Sequence, residues 1–202
     1  MSLSLCAQKI TSVLTHANII KKEDREIYIY CFELFLSTVI NFIVLFVIAC
    51  AAEMVWETLL FLIGFIPLRK LSGGYHAKTH FRCFLVLLGT YFVFLAVISF
   101  VPVELYMWTI MISLLVSVTL IWTLSPIEDC NKPLNPEEKG FFRRRSRTIL
   151  LIYTLLIVPL IIFSPTIEIV SVSIGVLSVA LSLVAARIKH RFHMDSMAQS
   201  QE

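Results

Sequence analysis

Of the 202 residues, 58% are hydrophobic and only 15% charged, against roughly 25% charged residues in a soluble domain. Most of the surface therefore does not face water. The formal net charge of +3 is small, and no nucleic-acid partner is expected. The placement of the charges defines the class. Uncharged stretches of 19, 21, 23, 20 and 18 residues lie between Glu33 and Glu53, Arg82 and Glu104, Glu104 and Glu128, Arg147 and Glu168, and Glu168 and Arg187. A bilayer core requires about 20 apolar residues as helix, so five spans qualify on length.

In chain order, Leu3, Cys6, Ile10, Val13, Leu14, Ala17 and Ile20 recur at three- and four-residue spacing. Gln8, Lys9, Thr11 and Ser12 fill the other face. That pattern predicts an amphipathic helix, either lying on the inner membrane surface or packed on the ends of a bundle. No cleavable signal peptide is expected, because no continuous apolar core follows a charged start. Residues 1–32 form this N-terminal segment, and the first span begins near Glu33. A sixth, shorter span is expected over Met54–Leu68. Fifteen residues reach only about 22 Å of the roughly 30 Å core, so a re-entrant segment is the alternative. The turns Val101-Pro102-Val103-Glu104 and Ser164-Pro165-Thr166 are short enough to force antiparallel neighbours. Asn135-Pro136-Glu137-Glu138 reads as a helix start, with Asn as cap, Pro at the first position and acids in the first turn.

Lys and Arg then set the topology. With six spans and the N-terminus inside, all 17 of them fall on inner segments, and the outer turns hold only Glu53, Glu57, Glu104 and Glu168. The predicted fold class is thus all-α: a polytopic membrane protein with six transmembrane helices and both termini cytoplasmic. The membrane domain covers 33–187, with inner loops at 69–83 and 125–147, and a cytoplasmic tail covers 188–202. The five cysteines lack a paired motif, and on this topology a disulfide framework is not expected.

The reactive residue types gather in one inner loop, from Arg69 through Gly73-Gly74-Tyr75-His76-Ala77-Lys78-Thr79-His80 to Cys83. Paired glycines permit close backbone approach and left-handed conformations. A cysteine among imidazoles and cations favours the thiolate, which is the nucleophile. If His76 through Cys83 formed one helix, the two would share a face but sit about 10.5 Å apart along the axis. His80 would then be the nearer partner. A loop folding His76 back over the helix start would reverse that preference. Three readings remain open on chemistry alone. They are an interfacial loop against lipid headgroups, a metal site of His76, His80 and Cys83, and a Cys/His nucleophilic site. The metal reading lacks the glutamate found between the histidines of metalloprotease helices, because Ala77-Lys78-Thr79 stands there.

Gly73-Gly74-Tyr75-His76-Ala77-Lys78, with Cys83 seven residues after His76, resembles the core motif of the accessory gene regulator B (AgrB) family. Ser125-Pro126-Ile127-Glu128-Asp129-Cys130-Asn131-Lys132-Pro133-Leu134 resembles that family's second inner signature, with Cys130 where a proline or small residue is usual. The resemblance covers most of the chain. It implies a bacterial cell-membrane cysteine endopeptidase of quorum sensing, with no cofactor. Such a protein removes the C-terminal tail of an autoinducer precursor peptide and closes the remainder into a thiolactone or lactone. Its implied partners are that precursor, the lipid bilayer and a second copy of the chain.

Carried over, His76 is the general base and Cys83 the nucleophile. Gly73 and Gly74 become candidates for the oxyanion, Arg69 a cationic helper and Asn131 a group orienting the imidazole. Arg143, Arg144 and Arg145 lie on a basic surface suited to an acidic peptide tail, or to anionic lipid. The competing reading is a non-enzymatic membrane exporter or chaperone of a small peptide. Transporters carry ionisable or helix-breaking residues inside their spans, whereas here the long spans are uncharged within.

Overall fold

The computed structural model describes residues 3–17, 19–73, 80–127 and 135–199, and for His80, His190 and 192–199 it describes the backbone alone. The described residues form seven α-helices: α1 (Leu3–His16), α2 (Arg25–Ala51), α3 (Val55–Ser72), α4 (His80–Phe100), α5 (Tyr106–Leu124), α6 (Pro136–Phe163) and α7 (Ile167–Gln199). Single 3₁₀ turns, Lys22–Asp24 and Val103–Leu105, lead into α2 and α5. Five segments are long and apolar enough to cross a membrane: Lys22–Ala51, Phe81–Phe100, Val103–Leu124, Pro136–Phe163 and Ile167–Lys189. The protein is therefore a multi-pass helical membrane protein. The α2 helix starts eight or so residues before the expected first span, because Glu26 and Glu33 continue a helix that their charge would only exclude from the bilayer core.

The chain divides into two compact units, Met1–Glu53 with Lys78–Leu88, and Met54–Ala77 with Gly89–Glu202. In the first, α1 packs along α2 and buries Ala7 and Thr11. The Thr11 hydroxyl is satisfied by donating to the Ala7 carbonyl at 2.9 Å. Leu5, Ile10 and Val13 remain exposed. The helix thus docks on a neighbour and still presents an apolar edge.

In the second unit α7 is the central helix, with 61% of its apolar stretch buried against 17–28% for the other four candidate spans. It packs on α3 and α5. The α3–α7 crossing is close because Gly64 faces the Val172 backbone and Gly175 faces that of Phe61, where a Cβ would collide. Small residues are what let membrane helices approach so nearly. Buried Ser171, Ser173 and Ser178 return their hydroxyls to carbonyls of α7 itself, so they add no unsatisfied polarity. Toward the start of α3, Phe61 stacks on Phe94 at 4.4 Å between centroids. Thr58 and Tyr91 share a hydroxyl hydrogen bond of 2.8 Å beside them. Toward its end, Leu68 joins Ile121, Leu150, Val176, Val179, Ala180 and Leu183 in an aliphatic cluster.

These pairings run α3, α5 and α7 in one direction and α6 in the other. The acids Glu57, Glu104 and Glu168 start the three parallel helices. Arg69, Lys70, Arg187 and Lys189, with the basic first half of α6, collect at the opposite end.

The short span expected to stop at Leu68 is an 18-residue helix reaching Ser72. Pro67 sits inside it and has no N–H to give the Ile63 carbonyl. The Tyr153 hydroxyl of α6 donates to that carbonyl instead, at 2.6 Å. The helix can therefore pass through the proline and end five residues later. Its charges, Glu57, Arg69 and Lys70, sit in its first and last turns.

Candidate functional site

At the basic end of the second unit, the two segments singled out in the sequence meet. The Ile127 N–H donates to the Ser72 carbonyl at 3.2 Å, and Gly73 and Ile127 form an isolated parallel β-bridge. Gly73 takes φ +74° and ψ −142°, a region that L side chains rarely enter. A Cβ there would also stand 2.5 Å from the Ile127 carbonyl oxygen. Conformation and space both require glycine.

Arg69 lies one helical turn before Gly73 on α3. Its Nη1 donates to the Gly73 carbonyl at 2.8 Å and to Ser182 Oγ on α7 at 3.0 Å. Ser72 is fully buried, and its hydroxyl makes no hydrogen bond among the described residues. On the other side of the joint, Ser125 and Ser146 pair through buried hydroxyls at 2.9 Å. Ser146 gives its hydrogen to the Arg143 carbonyl at 3.1 Å, so Ser125 is the donor within the pair. Arg147 stacks 4.4 Å above the Trp122 ring and donates Nη2 to the Trp122 carbonyl at 2.8 Å. The end of α5 is thereby fixed to the middle of α6.

The basic stripe leads away from this joint. The Asn135 N–H donates to the Glu138 carboxylate at 3.1 Å and starts α6 where the sequence pattern placed it. Arg143, Arg144 and Arg145 are exposed, with the Arg145 guanidinium 5.1 Å from the Phe141 ring centroid.

Cys83 belongs to the first unit, in the opening turn of α4, and is an exposed free thiol. The backbone of His80 opens the same turn. His76, Gly74 and Asn131 lie outside the described residues. Among the predicted site residues, Arg69 and Gly73 are thus brought into contact. Cys83 and the arginines Arg143, Arg144 and Arg145 are described each within its own unit.

Sequence reading missed Ser182, Ile127 and the Ser125–Ser146 pair as parts of the joint. Ser125 and Ile127 were at least inside a flagged segment. Ser182 stands among apolar residues of the last span, and its only signal is recurrence with Ser171 and Ser178 at helical spacing.

The fold is thus that of a multi-pass helical membrane protein in which the segments after α3 and α5 are bridged beside a basic rim. The chain belongs to the accessory gene regulator B (AgrB) family, which matches residues 7–184. It is similar to an AgrB-like protein of Clostridium perfringens (strain SM101 / Type A), at 28% identity over 155 residues, covering 74% of this chain and 71% of that protein. AgrB-like protein 2 of Clostridium perfringens (strain 13 / Type A) matches with the same identity and coverage. No solved structure matches the chain. Family membership gives the protein a role in quorum-sensing peptide processing.

Proposed function

We propose that the protein is a membrane cysteine endopeptidase that removes the C-terminal tail of a quorum-sensing precursor peptide and promotes its cyclisation. The observation that carries this reading is the exposed, free thiol of Cys83 in the first turn of α4, seven residues after His76, within a chain of the AgrB family. Cys83, its proton taken by His76, attacks the carbonyl at the tail junction. The C–N bond breaks, the tail amine leaves with the proton held on His76, and the acyl group remains on Cys83 as a thioester. A thiol of the precursor then gives its proton to His76 and attacks that thioester. A new C–S bond closes the ring and the bond to Cys83 breaks. A precursor hydroxyl in place of the thiol gives a lactone. Holding both ends of a short peptide together favours this attack over hydrolysis.

Gly73 and Gly74 are assigned to the oxyanion and Asn131 to the imidazole. Arg69, already engaged with the Gly73 carbonyl, is assigned to holding the loop rather than to the oxyanion itself.

The same reading includes six spans, a cytoplasmic basic end with both termini inside, and a homodimer. In support of the sixth span, α3 runs parallel to α5 and α7 and ends beside the segment that follows α5. In support of the orientation, the basic residues of the second unit gather at one end, as the positive-inside rule requires of the cytoplasmic face.

The test is cleavage of the cognate precursor in membranes carrying Cys83→Ala, Cys83→Ser, His76→Ala or His80→Ala. Cys83→Ala and His76→Ala should lower the rate by about 10³-fold or more, with His80→Ala close to wild type. A requirement for His80 would point to another base or to a metal. Cleavage by Cys83→Ala would replace the enzyme with an exporter or chaperone of the peptide.

A further inference from the structure

The last turn of α5 and the middle of α6 hold a cation in one pose. Arg147 is half-buried, with its guanidinium carbon 4.4 Å from the Trp122 ring centroid and Nη2 donating to the Trp122 carbonyl at 2.8 Å. The two helices are joined beside it. Ile121 and Leu150 share one buried aliphatic cluster, and Ser125 and Ser146 pair through their hydroxyls at 2.9 Å. Of the five guanidinium donors, the Trp122 carbonyl takes one, and Nε is buried without a hydrogen bond among the described residues. No carboxylate pairs with Arg147 among the described residues.

Two apolar stripes run from this pair toward the other side of the membrane. On α6, Leu151, Leu155 and Val158 follow Arg147 at helical spacing and are exposed. On α5, Leu115 and Met111 precede Trp122 on the same face and are exposed likewise. Both helices are long and apolar enough to cross a membrane, so these stripes face acyl chains. Trp108 stands at the far end of the α5 stripe, about 21 Å from Trp122 along the axis. Tryptophans at both ends mark the headgroup levels of a bilayer. Arg147 is therefore held at the depth of lipid phosphates.

We propose that Arg147, stacked on Trp122, binds the phosphate of an anionic phospholipid whose acyl chains lie along the two stripes. The guanidinium is a planar fork that matches two phosphate oxygens and is already held, so little rotamer freedom is lost on binding. The phosphate supplies counter-charge to a half-buried cation at the edge of the bilayer. The headgroup beyond it meets Arg143 and Arg144, four and three residues earlier on the same side of α6 and both exposed. These cations repel a headgroup ammonium, which selects phosphatidylglycerol over phosphatidylcholine. The site is independent of the Cys83–His76 reading and rests only on α5 and α6 spanning the membrane.

The test is native mass spectrometry of the purified full-length protein in detergent, titrated with palmitoyl-oleoyl phosphatidylglycerol or the matching phosphatidylcholine. Wild type should bind phosphatidylglycerol about tenfold more tightly than phosphatidylcholine. Arg147→Gln should lose that preference. Arg147→Lys, which keeps the charge but not the fork, should bind phosphatidylglycerol about threefold more weakly than wild type. Arg145→Gln removes the same charge from the opposite face of α6, beside Phe141, and should keep the wild-type preference. Inorganic phosphate in about hundredfold excess should displace no lipid, because the acyl chains carry part of the affinity.

Equal affinity for the two lipids in wild type would overturn the site. A loss in Arg145→Gln as large as in Arg147→Gln would overturn it in favour of diffuse attraction to the basic rim. Lysine binding as well as arginine would overturn the stacked fork. Displacement by inorganic phosphate would make this a free-anion site, and displacement by a synthetic acidic peptide would make it a substrate contact. Either result overturns the lipid assignment.

Discussion

The single residues that matter most here are small and polar. Gly73 was marked in the sequence as half of a glycine pair, and the structure gives the reason in a positive φ and an occupied Cβ position. Its partner Ile127 could not be found that way, because a backbone bridge to a distant aliphatic residue leaves no trace in either local pattern. Ser72 shows the opposite case, a buried polar side chain without a hydrogen-bond partner among the described residues. Leaving a buried hydroxyl without a partner costs about 1–3 kcal/mol. Ser72→Ala should therefore raise unfolding stability by about 1 kcal/mol, read as a higher midpoint of thermal unfolding in detergent. A lower midpoint would mean that the hydroxyl is bonded in the folded protein.

At the level of whole helices, the long spans were legible because charge is excluded from the bilayer core, and uncharged runs measure that core directly. They do not measure helix length, which is why α2 begins at Arg25 inside a charged segment. The start of α6 was legible for a local reason, a cap and acids that satisfy N–H groups at the helix end. The end of α3 was not, because its continuation past Pro67 depends on Tyr153 of another helix. Tyr153→Phe should destabilise the protein by about 1–2 kcal/mol by leaving the Ile63 carbonyl unpaired. The same substitution made on a Pro67→Ala background should have little effect, since the restored N–H takes that carbonyl. A double-mutant cycle on unfolding midpoints measures the coupling. Additive effects would show that the hydroxyl does not compensate the proline.

Across the molecule, the acidic and basic ends of the second unit were readable from charge order alone, because topology depends on where Lys and Arg fall. The candidate site was readable only as a list of residue types, and only the joint between Gly73 and Ile127 has become a geometry. The basic rim belongs to this scale, since a field is a property of the whole distribution. Reversing Arg143, Arg144 and Arg145 together to glutamate should lower precursor processing by about tenfold or more at low ionic strength, with the difference narrowing in salt. Membrane insertion, read by fractionation, should be unaffected. Unchanged processing would remove the rim from substrate recognition. The side-by-side stop of α3 and the segment after α5 also constrains how such a chain can change over evolutionary time. Whatever lies between residues 73 and 127 must leave one place and return to it, so it crosses the bilayer an even number of times. Helices can be gained or lost between those positions only in pairs.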